Sequence, residues 1–189
     1  MRDDEFLRGQ RVPMTKEPVR LLALERLALN GAQHMIDVGA GTGSVALEAA
    51  LRFPSLRVTA IERNPAALSL IAENCQRLAC RNIDIIAGEA PLALTGTADA
   101  IFIGGSGGQL TALIDWALAR LVPGGRLVLT FILLDNLQIA LSYLQSRHVA
   151  LLECSQLQTS ILTSLGSGHY FKPGNPTYLI SCCKEKEHG

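Results

Sequence analysis

A glycine-rich turn after an apolar segment is the part of this chain best suited to hold a ligand. Residues 35–43 read Met-Ile-Asp-Val-Gly-Ala-Gly-Thr-Gly, which predicts a buried strand, a sharp turn and the start of a helix. Glycines let the backbone approach a ligand closely, and the first N–H groups of a helix favour electron-rich atoms. A dinucleotide-binding G-x-G-x-x-G pattern needs glycine at position 44, where this chain has serine. The G-x-G-x-G spacing therefore disfavours a pyrophosphate ligand.

An acidic residue stands at the carboxyl end of the next predicted strand. Residues 57–61 predict that strand, and Glu62 follows nineteen residues after Gly43. About twenty residues separate such positions across one β-α-β unit, and an ionised carboxylate there can accept both hydroxyls of a ribose. The alternative for Glu62 is a cap on the helix beginning near Pro65, and for Asp37 a purely structural role. Because both acids stand in register with the glycines, they favour cofactor binding.

The G-x-G-x-G turn resembles the first motif of the class I S-adenosylmethionine-dependent methyltransferases. Their cofactor carries a carboxylate, an amine and a sulfonium but no phosphate. The resemblance implies S-adenosylmethionine as the cofactor, and it assigns no general acid or base. The residues expected to bind the cofactor are Thr15, Asp37, Gly39, Ala40, Gly41, Thr42, Gly43, Glu62, Glu89 and Ala90.

Two further turns are expected at the same edge of the sheet, because ligands bind beyond the carboxyl ends of parallel strands. Residues 88–90, Gly-Glu-Ala, offer a carboxylate and an N–H for an adenine ring, and their alternative is an ordinary surface turn. Residues 104–108 read Gly-Gly-Ser-Gly-Gly, and each glycine costs roughly 0.5 to 1 kcal/mol of ordering relative to alanine. We therefore expect another group to pack closely against the backbone of residues 104–108. The sequence has no Asn/Asp-Pro-Pro-aromatic motif there, which disfavours an amino-group acceptor.

Composition is typical of one enzyme domain over residues 1–189. Hydrophobic residues make up 48% of the chain, and 17 basic residues balance 17 acidic ones. Zero net charge gives no global field for nucleic acid or an anionic membrane. The charged N-terminus does not resemble a signal peptide and the apolar stretches are too short to span a membrane, so we expect a cytoplasmic protein. Five cysteines without a C-x-x-C pair suit reduced thiols, and four scattered histidines predict no metal site.

Alternating strand and helix patterns predict an α/β fold of the Rossmann-like, class I methyltransferase type. We expect a seven-stranded, mostly parallel sheet with a C-terminal antiparallel hairpin and helices on both faces. After the glycine-turn strand, the patterns predict strands at 57–61, 83–87, 99–103 and 127–132, and two late strands in hairpin relation at 149–157 and 177–183. They predict helices at 16–30, 44–53, 65–79, 110–121 and 136–146, the first with Thr15 as N-cap and Gly31 as its end.

Further motifs narrow the resemblance to one family. Together with the glycine turn, residues 13–20, 62–65, 88–91, 103–108 and 121–126 resemble the decarboxylating cobalt-precorrin carbon-15 methyltransferases of cobalamin biosynthesis. Pro-Met-Thr-Lys at 13–16 and Ile-Gly-Gly-Ser-Gly-Gly at 103–108 are the most particular motifs. Relatives often have Asp where this chain has Glu62 and Glu89, and residues 167–173 resemble the family least. The length implies the stand-alone form of the anaerobic, cobalt-early pathway, without a fused carbon-5 methyltransferase domain.

The family resemblance implies methyl transfer to a bridging carbon of a cobalt-precorrin, with loss of carbon dioxide from an acetate side chain. That carbon is enamine-like, so alignment with the sulfonium can supply most of the acceleration. We expect cations on the spectator carboxylates and an apolar or glycine-walled surface beside the acetate, because a cation would hold the departing charge. The residues expected to bind substrate are Lys16, Arg20, Gly104, Gly105 and Ser106, with Arg63 as a further cation. The alternative for these cations is a solvated helix face.

Other functions and the oligomeric state stay open at this level. The chain could methylate RNA or protein, and retained RNA binding in physiological salt would support that function. It could also be a non-catalytic scaffold, although the intact glycines and Glu62 argue against one. His169 could bind substrate or act as an acid, and its alternative is a structural or solvated loop residue. The resemblance and the apolar C-terminal edge strands imply a homotetramer.

Overall fold

A computed structural model describes residues 1–105 and 107–186 as alternating strands and helices. The strands are β1 His34–Val38, β2 Arg57–Glu62, β3 Ile83–Ala87, β4 Ala98–Ile103, β5 Leu121–Phe131, β6 Val149–Leu157, β7 Ser160–Leu165, β8 Gly168–Pro173 and β9 Thr177–Lys184. The α-helices are α1 Glu17–Leu27, α2 Ser44–Arg52, α3 Pro65–Arg77, α4 Leu110–Arg120 and α5 Leu134–Gln145, and a 3-10 turn spans Asp3–Glu5.

The main sheet has seven strands in the order β3-β2-β1-β4-β5-β9-β6. The five strands from β3 to β5 are parallel, and β9 pairs antiparallel with β5 and with β6. The chain builds outward from β1 to β3 and then returns to the other side of β1 to form β4. Such a reversal leaves a crevice at the carboxyl ends of the two central strands, where sheets of this kind bind ligands. The glycine turn after β1 and the turn after β4 both border it.

The core lies on both faces of this sheet. Side chains alternate along β4, so that Ile101 and Ile103 pack in a cluster with α4 and α5, whereas Ala100 and Phe102 pack in a cluster with α1 and α2. All five residues of β1 are buried. A strand covered on both faces is rigid, and β1 therefore gives the turn that follows it a fixed origin.

The predicted fold class is confirmed, and the first helix shows where local prediction was wrong. Helix α1 begins at Glu17 and not at residue 16, and Thr15 is not its N-cap. Instead, the Glu17 N–H donates to Asp3 Oδ1 at 2.9 Å, so a distant carboxylate supplies the missing partner. The helix also ends before Gly31, because Ala28 adopts a left-handed conformation with a φ of 50°.

The β7–β8 hairpin was not predicted from the sequence. The two late strands that were predicted, β6 and β9, do pair in antiparallel fashion, with Leu157 opposite Thr177. The connection between them holds a second, separate two-stranded sheet. His169 lies on β8 with an exposed side chain and not in a loop. The apolar residues of this hairpin fall on both of its faces and show no one-sided alternation, so the pattern did not predict these strands.

Arg20 is buried, which overturns its predicted role in substrate binding. Its Nε donates to the buried Glu48 carboxylate, and Nη1 donates to Asp3 Oδ1 at 3.1 Å and to the Thr15 carbonyl at 2.6 Å. Its Nη2 donates to the Met1 carbonyl at 2.6 Å. Every guanidinium nitrogen has a partner and the side chain is 0% exposed, so a substrate carboxylate cannot reach it. Arg20 instead ties the N-terminal segment to α2.

We expect Arg20→Met to lower the free energy of unfolding by about 3 to 5 kcal/mol, because it leaves the Glu48 carboxylate buried with less compensation. Burial alone would raise the pKa of Glu48, but hydrogen bonds from the N-terminal ammonium group and from Arg20 outweigh it and lower that pKa. Because the pKa of Glu48 is lower in the folded state than in the unfolded state, its ionised carboxylate stabilises the fold at pH values above the unfolded-state pKa. This stabilisation is lost as the pH falls through the folded-state pKa. Urea denaturation at neutral pH and in acid measures both effects.

The control for this experiment is Arg81→Met, which changes an exposed arginine. We expect it to alter stability by less than about 0.5 kcal/mol. The double variant Arg20→Met/Glu48→Met should recover part of the loss, because it removes the unpaired charge. A loss in Arg20→Met as small as that of the control would show that the network contributes nothing to stability.

Candidate active site

Two other backbone segments pack closely against the glycine turn. Gly39, Gly41 and Gly43 have φ values of 70°, 57° and 78°, a region that other residues rarely adopt. A Cβ on Gly39 would lie 3.0 Å from the backbone nitrogen of Gly105, and one on Gly41 would lie 2.5 Å from the Pro13 carbonyl oxygen. The turn therefore requires glycine both for its conformation and for the space it leaves to neighbouring backbone.

Glu62 joins the end of β2 to this turn. Its Oε2 accepts from the Gly41 N–H at 2.8 Å, and its Oε1 accepts from the N–H groups of Arg63 and Asn64, each at 2.8 Å. The side-chain cap of α3 is Asn64, which accepts from the Ala66 N–H. Three of roughly four acceptor positions on the Glu62 carboxylate are thus used, leaving one for a ligand hydroxyl in this conformation.

Asp37 lies buried on β1 beneath the turn. Its Oδ2 accepts from the Ala46 N–H in the first turn of α2 at 3.0 Å. Its Oδ1 is also buried and has no hydrogen-bond partner among the described residues. Burial raises the pKa of Asp37 to about 7, against the lowering effect of the Ala46 N–H and with a smaller contribution from the charge of Glu62. The Thr42 Oγ1 is a second buried polar atom without a partner in the described chain.

Glu89 stands after β3, where three turns meet. Its Oε1 accepts from Arg63 Nη1 at 2.7 Å, and a Cβ on Gly107 would collide with the same oxygen. Ala90, the next residue, is buried. The carboxylate therefore connects the turns after β2, β3 and β4, with one oxygen engaged and its side chain 40% exposed.

The turn after β4 touches the glycine turn directly. The Gly104 N–H donates to the Val38 carbonyl at 2.9 Å, and the backbone of Gly105 packs against Gly39. The close approach expected from these glycines is thus made, at least at Gly105, by the protein's own backbone. The predicted substrate residue Ser106 lies outside the described residues.

The segment before α1 crosses the start of α2. The Pro13 carbonyl accepts from the Thr42 N–H at 3.2 Å, and the Thr15 carbonyl accepts from Arg20 and, at 3.4 Å, from Ser44 Oγ. Lys16 is 53% exposed, with its Nζ 3.6 Å from Asp3 Oδ2. Lys16 therefore remains accessible from solvent, in contrast to Arg20.

Asn74 supports the glycine turn, a role that was not predicted from the sequence. This residue of α3 is fully buried and donates from Nδ2 to the carbonyls of Thr42 and Leu7 at 3.3 and 3.2 Å. Its Oδ1 accepts from the Leu7 N–H at 2.7 Å. A single asparagine within a helical pattern gave no signal of this role.

The described residues contain no group of three His, Cys, Asp or Glu side chains placed to hold a metal ion. Across residues 1–105 and 107–186, no helix has the length and apolar character needed to cross a membrane.

Sequence similarity to known proteins extends over almost the whole chain. The precorrin methyltransferase domain family matches residues 7–184. A cobalt-precorrin-6B C(15)-methyltransferase (decarboxylating) from Salmonella typhimurium is 65% identical over 188 residues, which cover 100% of this chain and 98% of that protein. A probable enzyme of the same name from Sulfolobus acidocaldarius is 40% identical over 187 residues, covering 94% of each chain.

Solved structures agree with this relationship. A precorrin-6y C5,15-methyltransferase from Geobacter metallireducens superposes with a TM-score of 0.88 at 35% identity, covering 96% of this chain and 95% of the other. A precorrin 8w decarboxylase from Methanobacterium thermoautotrophicum gives 0.85 at 34% identity, covering 96% and 98%. A tRNA (m1A58) methyltransferase from Aquifex aeolicus, at 0.77 and 14% identity over 96% of this chain and 73% of its own, shares the fold alone. The chain has the class I methyltransferase fold and belongs to the precorrin methyltransferase family.

Proposed function

We propose that this chain methylates carbon 15 of a cobalt-precorrin from S-adenosylmethionine and decarboxylates an acetate side chain of the same substrate, in anaerobic cobalamin biosynthesis. The observation that carries the proposal is the 65% identity to the Salmonella enzyme of that name across nearly all of both chains. The grouping of Asp37, Glu62 and the glycine turn at the crevice between β1 and β4 supports it. We further propose that residues 1–189 act as one domain.

The residues at the crevice fit S-adenosylmethionine. Two buried polar atoms at the turn, Asp37 Oδ1 and Thr42 Oγ1, have no partner among the described residues. The carboxylates of Glu62 and Glu89 offer acceptors for the ribose hydroxyls and the adenine amino group of the cofactor. The bound cofactor supplies an electrophilic methyl group on its sulfonium. We propose that Thr15, Asp37, Gly39, Ala40, Gly41, Thr42, Gly43, Glu62, Glu89 and Ala90 hold it.

The substrate is assigned to the neighbouring turn and to the segment before α1. Gly104 and Gly105 are exposed beside Gly39 and carry no side chain, so an acetate placed there would face backbone and not a cation. Decarboxylation benefits, because a cation would retain the charge that must flow into the macrocycle. Lys16 is accessible to a spectator carboxylate, and Ser106 is assigned to the same substrate surface from sequence alone. The work of these residues is to orient the nucleophilic carbon for in-line attack.

The direct test is product analysis. Incubation with methyl-labelled S-adenosylmethionine and cobalt-precorrin-6B should yield a tetrapyrrole that has gained one methyl group and lost one carboxyl group, seen by mass spectrometry. The Gly41→Val variant should yield none, because its side chain would collide with the Pro13 carbonyl in a left-handed backbone conformation. Methyl transfer to tRNA or protein, with the tetrapyrrole unchanged, would contradict the proposal.

Glu62 and Lys16 provide a matched test of the two binding surfaces. Glu62→Ala should raise the Kd of S-adenosylmethionine by roughly 10- to 150-fold, because about 1.5 to 3 kcal/mol of charge-assisted hydrogen bonding is lost. Lys16→Met should leave that Kd unchanged and raise the KM of the polyanionic substrate by a factor of roughly 5 or more, an effect that salt should reduce. Calorimetry and steady-state kinetics measure the two constants.

Melting temperatures near that of the wild type would show that both variants are folded. An unchanged Kd in folded Glu62→Ala would remove that residue from the cofactor site. An unchanged KM in Lys16→Met would show that the segment before α1 does not contact the substrate.

We also propose that the protein is a homotetramer, which the β7–β8 hairpin supports. Leu162 and Phe171 pair on one of its faces, and Ile161 and Leu165 lie on the other. Each of the four is 58 to 70% exposed. An isolated two-stranded sheet is marginally stable in water, and apolar side chains on both faces call for cover from other copies of the chain.

Light scattering should therefore give four times the mass of one chain. Leu162→Asp/Phe171→Asp should reduce that mass, because two buried charges would oppose the contact. The control Leu21→Asp makes the same kind of change at an exposed leucine of α1 and should leave the tetramer intact. A monomeric wild type at working concentration would rule out the tetramer.

The cytoplasmic location also stays a prediction. All five cysteines are free, which suits a reducing compartment.

A role in RNA methylation draws support from the fold alone, at 14% identity to the tRNA enzyme. Substrate identity is therefore argued from the close relatives and not from the wider fold.

A further inference from the structure

Asp37 is a buried acid at a position where an ionised carboxylate is energetically unfavourable. It occupies the second-to-last position of β1, with Ala60 of β2 and Phe102 of β4 as its register neighbours. The side chain is 1% exposed, and one of its two oxygens has no partner among the described residues. An ionised carboxylate in such a place loses its hydration without full compensation.

The elements around Asp37 bring no cation to it. From β2, the charged group that acts on it is Glu62, which is also an acid. From α2, the Ala46 N–H donates one hydrogen bond, whereas the Glu48 carboxylate is engaged by Arg20 and Arg52. At the far end of β1, the ring of His34 bonds to Thr59 and Thr97. In the part of the chain that the structure describes, no basic side chain pairs with Asp37.

We propose that, in mildly acidic solution, Asp37 is a neutral carboxyl in the cofactor-free protein and exchanges its proton for the α-ammonium group of the cofactor. The proton leaves to solvent, and the unpartnered Oδ1 then accepts from the ammonium, so that the buried site exchanges one positive charge for another. This inference rests on the proposed use of S-adenosylmethionine. Thr42 Oγ1, on the glycine turn, is a second buried polar atom without a partner among the described residues.

Proton exchange makes cofactor affinity dependent on pH. Burial raises the pKa of Asp37 to about 7, so the free protein holds this proton near pH 6 and has largely lost it above pH 8. Below the pKa the ammonium must displace the proton, and binding weakens as the pH falls. Above it the carboxylate is already ionised and binding is constant.

The experiment is calorimetric titration with S-adenosylhomocysteine, which keeps the α-ammonium group and cannot react. Near pH 6, the difference in enthalpy between phosphate and Bis-Tris buffers, which have different ionisation enthalpies, should show that close to one proton is released per ligand bound. The apparent Kd should rise by about 20-fold between pH 7.5 and pH 5.5. 5′-Methylthioadenosine, which lacks the amino-acid end, should bind without proton release and without this dependence.

Asp37→Asn is the matched variant, because it keeps the shape and the hydrogen bond from Ala46 and has no proton to exchange. It should bind S-adenosylhomocysteine more weakly than the wild type near pH 7.5, release no proton, and bind 5′-methylthioadenosine as the wild type does. Binding of S-adenosylhomocysteine that is independent of pH and buffer in the wild type would overturn this inference alone. Failure of both ligands to bind at either pH would overturn the proposed cofactor as well.

Discussion

The active site depends on contacts that only bare backbone can make. Gly39 meets Gly105, and Gly41 meets Pro13, at distances that leave no space for a side chain. These contacts bring the turn after β1, the turn after β4 and the segment before α1 together. A ligand entering the crevice between β1 and β4 therefore meets N–H and carbonyl groups whose positions the sheet has already fixed. Such preorganisation reduces the reorganisation that binding and reaction require.

Three carboxylates at this edge of the sheet have different roles because their surroundings differ. The Glu62 carboxylate is nearly buried and accepts hydrogen bonds from three backbone N–H groups, which fix its position. The Asp37 carboxylate accepts from one backbone N–H, and its other oxygen has no partner among the described residues, so burial is the largest influence on its pKa. Glu89 is exposed and has Arg63 for a partner. The same functional group thus becomes a backbone tether, a proton-holding group and a surface ion pair.

Support for the site comes from residues that do not face it. Arg20 holds the Thr15 carbonyl and the Glu48 carboxylate, which couples the segment before α1 to the packing of α1 on α2. Asn74 holds the Thr42 carbonyl from the opposite side. Loss of either side chain would leave buried polar groups unpaired, and the glycine turn would lose one of the contacts that hold its surroundings in place. Positioning in this protein is therefore distributed over the N-terminal segment, α2 and α3.

The sequence by itself determined the fold class and the family, and it predicts the carboxyl edge of the sheet as the place of the chemistry. Those features rest on local patterns, namely buried strands, the spacing of the glycines and an acid at the end of β2, all of which lie within one β-α-β unit. Whether a charged side chain faces solvent or another charge was decided only by tertiary structure, because Lys16 and Arg20 look equivalent four residues apart in the sequence. Arg20 became buried through Asp3 and Glu48, partners 17 and 28 residues away. Asn74 and the unpartnered oxygen of Asp37 were not predictable from the sequence, since each is defined by contacts, or by their lack among the described residues, between segments distant along the chain. The β7–β8 hairpin is local, and it was missed because its apolar residues show no one-sided alternation.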